Sequence, residues 1–385
     1  MTDSLTWLDG LQGTGIRPGL SRIRALLREL KHPERAYRSI IVAGTNGKGS
    51  TSAMIESIVR ASGVRTGFYT SPHLVDIRER WMIDGAMIDP ALLDRSIDEL
   101  RAAGDRAGIV PTYFEALTVV AFIAFARAGC ELAVLEVGMG GRLDATNVVK
   151  PIASVITPIG LDHQEFLGET IAKIAFEKAG VIHRGAVVLT SNEDERVLRA
   201  LRRRAEKFGN RFIVVRDEHD TPLAGAFQRR NAALAVATAR ALGIDDRAIE
   251  AGVKNTRWRG RLECLRIGDK QIWIDGGHNP HAVAATAPFI GANIPRPRLL
   301  VFGIMSDKDV HAVTGTLFPL FDRVITTEPY PPRSVPADSF PGATAITDPD
   351  EAFRAALASE ERSIVVTGSL YLAGAALRFF DKIAV

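Results

Sequence analysis

The chain has 385 residues, 46% of them hydrophobic and 24% charged, with two cysteines. That length favours two domains, and the composition excludes disordered and fibrous proteins, a disulfide framework and a cysteine-rich zinc site. Lys and Arg number 48 against 45 Asp and Glu, a net charge of +3, too balanced to point to nucleic acid or an acidic membrane surface. No run approaches the roughly 18 uninterrupted apolar residues of a membrane helix, and residues 1–9 lack the pattern of a secretory signal. A soluble cytoplasmic protein is expected.

In chain order, short β-branched runs alternate with longer amphipathic segments. Residues 39–43 read as a buried strand, followed by a helix over 50–62 with Met54, Ile55, Ile58 and Val59 on one face and Gly63 at its C-terminal cap. Further buried strands are predicted at 132–137, 152–157 and 186–190. The polar, cationic segment 255–263 breaks the alternation and marks a domain boundary, giving domains 1–256 and 257–385. A hairpin over 262–275, turning at Gly268 and Asp269, opens the second domain, and strands follow at 298–303, 323–326 and 363–368. The proline-rich stretch 328–341 reads as a surface loop. The alternation implies an α/β fold with mostly parallel sheets.

Between the first strand and its helix lies Gly44-Thr45-Asn46-Gly47-Lys48-Gly49-Ser50. A glycine-rich turn leading into a helix points backbone N–H groups inward, and the helix N-terminus adds positive potential, so the segment suits a nucleotide phosphate chain with Lys48 reaching its terminal end. The match to the phosphate-loop pattern is imperfect: Val42 stands where the first glycine belongs, and Gly49 replaces the hydroxyl that would bind magnesium.

The loop GTNGKGS resembles that of the Mur ligase superfamily of ATP-dependent amide-forming ligases, and the rest of the chain resembles its dihydrofolate synthase/folylpolyglutamate synthase family. The likeness rests on TSPHL at 70–74, TYFE at 112–115, LEVGMGGRLDATN at 135–147, LDHQEFLGET at 161–170, EKAG at 177–180 and FQRRNAA at 227–233. It continues with DGGHNPHA at 275–282, FGIMSDKD at 302–309 and TGSLYLAG at 367–374, with Gly277 where the family usually has alanine. Only 43 residues precede Gly44, too few for the UDP-binding domain of the peptidoglycan ligases, which favours a folate substrate. The resemblance implies a phosphate-loop domain with a mostly parallel sheet, then a smaller Rossmann-like α/β domain.

It also implies roles for residues that are unremarkable by themselves. ATP contacts fall on the loop residues and Asn231, and on Arg261, Asp275 and His278, with the polar segment 255–260 as a hinge candidate; whether His278 touches nucleotide or only caps a helix is open. Ser71, Glu136, His163 and Lys178 are implied ligands of two magnesium ions. By residue type alone Ser71 reads as a turn residue before proline, and Lys178 as a helix-surface cation. Only Glu136, ending an apolar strand, points to a cleft unaided. The family carries a carbamate on the lysine matching Lys178. Lys48, Lys178 and His163 are the implied catalytic groups. Thr112, Tyr113, Phe114, Glu115 and Leu143, Asp144, Ala145 align with pterin contacts, and residues 14–20 with a segment closing over the pterin. Unaided, Tyr113 and Phe114 would be core aromatics.

The expected reaction joins L-glutamate to dihydropteroate or a reduced folate with ATP cleaved to ADP, by a monomeric enzyme whose partners are small molecules. Two alternatives stand beside it: an amide ligase for another carboxylate, and a phosphate-loop nucleotide switch.

Overall fold

The computed structural model describes residues 2–15 and 17–383. Ile16, within the 14–20 segment, lies outside the described residues, as do Met1, Ala384 and Val385.

Among the described residues, fourteen strands form two sheets. The first contains β1 (Arg38–Ala43), β2 (Thr66–Tyr69), β3 (Trp81–Ile83), β4 (Ala86–Met87), β5 (Leu132–Glu136), β6 (Ala153–Ile156), β7 (Val187–Thr190) and β8 (Phe212–Val214). Their spatial order is β4-β3-β2-β5-β1-β6-β7-β8. All pairings from β2 to β8 are parallel, and the short β3 and β4 add an antiparallel edge. Ile40, Ile41 and Val42 are all fully buried, so β1 is covered on both faces, which is why its sequence runs apolar without alternating.

The second sheet contains β9 (Glu263–Ile267), β10 (Lys270–Ile274), β11 (Arg298–Phe302), β12 (Arg323–Thr326), β13 (Thr344–Ala345) and β14 (Ser363–Thr367), in the order β13-β12-β11-β14-β10-β9. Only the β9–β10 hairpin is antiparallel. Its two faces feed two cores. Leu299 and Val301 pack with Phe353, Leu377 and Phe380, whereas the intervening Leu300 and Phe302 pack with Ile290, Val313 and Leu317. The period-2 pleat of β11 thus holds helices on both sides.

The chain forms two compact units: Met1–Ser71, Arg78–Thr221 and Arg230–Thr256 make the first; Pro72–Ile77, Pro222–Arg229 and Arg257–Val385 make the second. A single cut after residue 256 therefore misses two segments that belong to the second unit. Leu74 accounts for one of them, packing against the core of the second sheet. Among the described residues, no helix is long and apolar enough to cross a membrane.

The helix Lys48–Ala61 sits behind the phosphate loop with Met54, Ile55, Ile58 and Val59 at most 1% exposed. Its opposite side is also covered. Ser57 Oγ donates to the Gly252 carbonyl at 2.7 Å in the helix Asp246–Asn255, and a methyl group on Gly252 would lie 2.3 Å from Ile58 Cα. Gly63, left-handed at φ 85°, donates to the Arg60 carbonyl and ends the helix as the sequence suggests.

Candidate active site

The phosphate loop leaves the C-terminal end of β1. Gly44 (φ 151°) and Gly47 (φ 85°) take backbone conformations that side chains disfavour. A methyl group on Gly44 would meet Thr157 Oγ1 at 1.8 Å, and one on Gly47 would meet Asn231 Oδ1 at 2.6 Å. The second contact brings Asn231 against the loop, as the resemblance implies. Thr45 fastens the loop from its other side: its N–H donates to the Pro158 carbonyl (3.0 Å), and its hydroxyl pairs with both backbone groups of Gly160 (3.1 Å). Lys48 opens the helix and folds back, its Nζ donating to the Thr45 carbonyl at 3.0 Å.

Lys178 is 4% exposed, so its reading as a surface cation from residue type alone is overturned. It lies in the last turn of the helix Ile171–Ala179, and its Nζ donates to the Gly44 carbonyl at 2.7 Å. Burial first, then the nearby charge of Lys48, lowers its pKa to about 7, with Asp162 and Asp144 pulling weakly the other way. Two lysines thus converge on one loop, one of them with a loosely held proton.

β5 lies between β1 and β2, with Glu136 beside Val42 in register. Glu136 is 4% exposed. Its Oε2 accepts hydrogen bonds from the Thr70 hydroxyl and, at 3.4 Å, from the Ser71 N–H. The strand order therefore puts the Glu136 carboxylate and Ser71 side by side next to the strand that feeds the loop. These are hard oxygen donors of the kind magnesium takes, completing its shell with water and phosphate oxygens. Lys178 as an ammonium does not suit a cation. Among the described residues, no three His, Cys, Asp or Glu side chains gather as a metal site. His163 is exposed, in a left-handed conformation (φ 49°) ahead of the short helix Gln164–Leu167.

The residues aligned with pterin contacts divide. Thr112 and Glu115 form a capping box on the helix Tyr113–Arg127: Thr112 Oγ1 accepts from the Glu115 N–H (3.3 Å), and Glu115 Oε2 accepts from the Thr112 N–H (2.8 Å). Arg22 pairs with the same Glu115 carboxylate at 3.1 Å, and the Tyr113 N–H donates to Thr14 Oγ1 at 3.1 Å. The Phe114 ring packs over Gly138 and near Tyr69. Asp144 folds the glycine run: Oδ2 accepts from the Met139 N–H (3.0 Å), and Oδ1 from the Thr146 N–H (3.0 Å) and hydroxyl (2.6 Å). Burial raises its pKa. Leu143 beside it is 38% exposed, whereas Ala145 is buried.

Arg261, Asp275 and His278 belong to the second unit. Asp275 is buried, with its pKa raised by that burial, and it accepts from the Gly277 N–H (2.8 Å) and the Leu262 N–H (3.1 Å). Arg261 donates to the Gly260 carbonyl at 2.9 Å, and its charge favours the ionised form of Asp275. His278 Nδ1 lies 3.0 Å from the Gly276 carbonyl, while the helix cap is Asn279.

Sequence reasoning did not single out Thr157, which closes on Gly44, or Thr70, which binds Glu136. Thr157 ends a strand with no local signal. Thr70 lies inside the TSPHL motif, where it could have been noticed.

The Mur ligase middle domain matches residues 42–233, and the Mur ligase glutamate ligase domain matches residues 260–370. The chain is 32% identical over 415 residues to the dihydrofolate synthase/folylpolyglutamate synthase of Bacillus subtilis, covering 96% of each. The chain belongs to the dihydrofolate synthase/folylpolyglutamate synthase family of Mur ligases. Within that family it resembles the crystal structure of Mycobacterium tuberculosis folylpolyglutamate synthase complexed with ADP and AMPPCP, with a TM-score of 0.88 at 33% identity over 98% of both chains. It is also 38% identical over 368 residues to a probable bifunctional folylpolyglutamate synthase/dihydropteroate synthase of Halobacterium salinarum. That match takes in 87% of this chain but 45% of the relative, so the chain spans less than half of that longer protein. The phosphate loop, Glu136, Lys178 and Asn231 fall inside the middle-domain match, and Arg261 and Asp275 inside the glutamate-ligase match.

Proposed function

We propose that this chain is an ATP-dependent, ADP-forming ligase that joins L-glutamate to dihydropteroate, to reduced folates, or to both. The observation that carries the reading is the phosphate loop with two lysines on it, Lys48 and the buried Lys178, beside the Glu136–Ser71 pair. A carboxylate is a poor electrophile at neutral pH. Its oxygen attacks the γ-phosphorus of ATP, the bond to ADP breaks, and an acyl phosphate forms. The glutamate amine then attacks the acyl carbon, phosphate leaves, and the amine proton passes to solvent or phosphate.

In this reading the loop amides and Lys48 hold the terminal phosphates, and Lys48 offsets charge that develops on the transferred group. Asn231 lies against Gly47 and contacts the nucleotide. Arg261, Asp275 and His278 are further nucleotide contacts in this reading. Phe114 and the segment 143–145 bind the pterin portion, whereas Thr112 and Glu115 shape that wall by capping its helix.

Glu136, Ser71, His163 and a carboxylated Lys178 would hold two magnesium ions, which would neutralise charge on the phosphates. Lys178 suits that modification because its amine is buried and sheds its proton near neutral pH. The neutral nitrogen attacks carbon dioxide, an N–C bond forms, and a proton leaves to solvent, turning a cation into an oxygen donor. The working form is a cytoplasmic monomer, which light scattering on the active enzyme checks.

Phosphate release measured with each component omitted in turn tests the reading. It should need ATP, magnesium, glutamate and a pteroate or folate together. Release at equal rate without glutamate and folate would overturn it in favour of a nucleotide switch.

A further inference from the structure

Lys178 is the penultimate residue of a nine-residue helix, too short to hold a buried cation in place by itself. Its amine is buried and donates to the Gly44 carbonyl at 2.7 Å, so where it lies depends on how the last turn of the helix is set. Something must fix the last turn of that helix, and the contacts lead to the segment just after the glycine run.

Arg142 grips residue 177 twice. Its backbone N–H donates to the Glu177 carbonyl at 2.8 Å, taking up one of the orphan acceptors at the helix end. Its guanidinium forms a forked pair with the Glu177 carboxylate, Nε to Oε1 and Oε2 at 3.1 and 3.2 Å and Nη2 to Oε1 at 2.9 Å, and also lies 5.7 Å from the Phe176 ring centroid. Asn147 reinforces the grip, its Nδ2 bridging the Arg142 carbonyl (3.1 Å) and the Gly180 carbonyl (3.2 Å) while its Oδ1 lies 2.8 Å from His183 Nε2. The backbones are in close contact: a methyl group on Gly141 would lie 3.2 Å from Lys178 Cα.

We infer that Arg142 is a positioning residue for the ligase reaction: by clasping Glu177 it fixes the helix turn that holds Lys178 beside the phosphate loop, and it ties that turn to the neighbouring segment 143–145. A forked arginine–carboxylate pair sets direction as well as distance, which a role confined to stability would not require. The two side chains are 46% and 19% exposed, so losing the pair costs the fold little. A displacement of the reacting constellation costs rate steeply. Arg142 touches neither nucleotide nor substrate in this account; it acts through Glu177 and Lys178.

The inference rests on the ligase reading, and the two are tested separately. Parent turnover that requires ATP, glutamate and folate carries the reading; the ratio of each variant to the parent carries the clasp. Arg142→Glu and Glu177→Arg should each lower kcat about tenfold or more with KM for ATP nearly unchanged, since positioning rather than binding is lost. The double variant Arg142→Glu/Glu177→Arg, which restores an ion pair of opposite polarity, should recover most of that loss. Melting temperatures should change little throughout. If a charge reversal fails to fold, Arg142→Lys, which keeps charge and stem but not the fork, makes the same comparison and should also lower kcat. Folded single variants with kcat within about twofold of the parent, or a double variant no better than the singles, would overturn the clasp.

Discussion

Lys48 and Lys178 are two lysines whose amines reach neighbouring carbonyls of one loop, Thr45 and Gly44. They should respond differently to removal. Lys48 is placed to meet charge that grows on the transferred phosphoryl group, so Lys48→Ala should lower kcat by about 10²–10³. Steady-state turnover of the purified variant checks this, and near-parental activity would make the loop structural. Lys178 instead carries a stability penalty. In the unfolded chain a lysine titrates near 10.5, whereas burial and Lys48 bring Lys178 to about 7 in the folded protein. The unfolded state therefore binds more protons between those values, and the parent gains stability as pH rises through them. Below about 7 the penalty is fully present. Lys178→Met should raise the melting temperature over the parent most at pH 6, and the gap should shrink by pH 10, both measured with carbon dioxide excluded. A gap independent of pH would mean that the ammonium is not desolvated as described.

Among the elements, the helix behind the phosphate loop depends on close backbone approach. A methyl group on Gly252 would press into the backbone at Ile58, with the Ser57 carbonyl oxygen only 2.8 Å away. Neither contact is with a flexible side chain, so Gly252→Ala should destabilise by about 2 kcal/mol or more. Denaturant titration reads this as a lower midpoint. The elements most legible in the sequence were those whose own residues suffice. The runs around Ile40–Val42, Leu132–Leu135 and Ile364–Val366 are continuous and apolar because both faces are buried. β2 was not legible: its four residues, TGFY, carry no apolar run. The two-residue β4 and β13 are set by pairing rather than by pattern. The site divided on the same principle. A strand, a glycine turn and a helix announce the phosphate loop locally. The burial of Lys178 depends on Gly44, 134 positions away, and no local pattern encodes it. Ser71 and His163 were suggested by family resemblance alone, and the Thr70–Glu136 bond, between residues 66 apart, became visible only once β2 and β5 were paired.

For the whole molecule, two α/β units are built by the same logic, a mostly parallel sheet with helices over it, yet their membership does not follow a single point in the chain. Pro72–Ile77 and Pro222–Arg229 leave the first unit's sequence to join the second. The first of these begins directly after Ser71 and buries Leu74 in the second unit's core. Residue spacing could not reveal this, because the core cluster against which Leu74 packs begins only at Ile272, about 200 positions downstream. The net charge of +3 leaves function to be decided by local charge: lysines at the loop and a carboxylate at the end of β5. That arrangement serves one purpose in this account, the transfer of a phosphoryl group to a carboxylate before the amine attacks. Dihydropteroate labelled with ¹⁸O in its carboxylate, turned over with ATP and glutamate, tests this most directly. The account predicts inorganic phosphate carrying one labelled oxygen for each amide formed, together with ADP. Amide formation with unlabelled phosphate, or labelled substrate recovered unchanged while ATP is consumed, would contradict it.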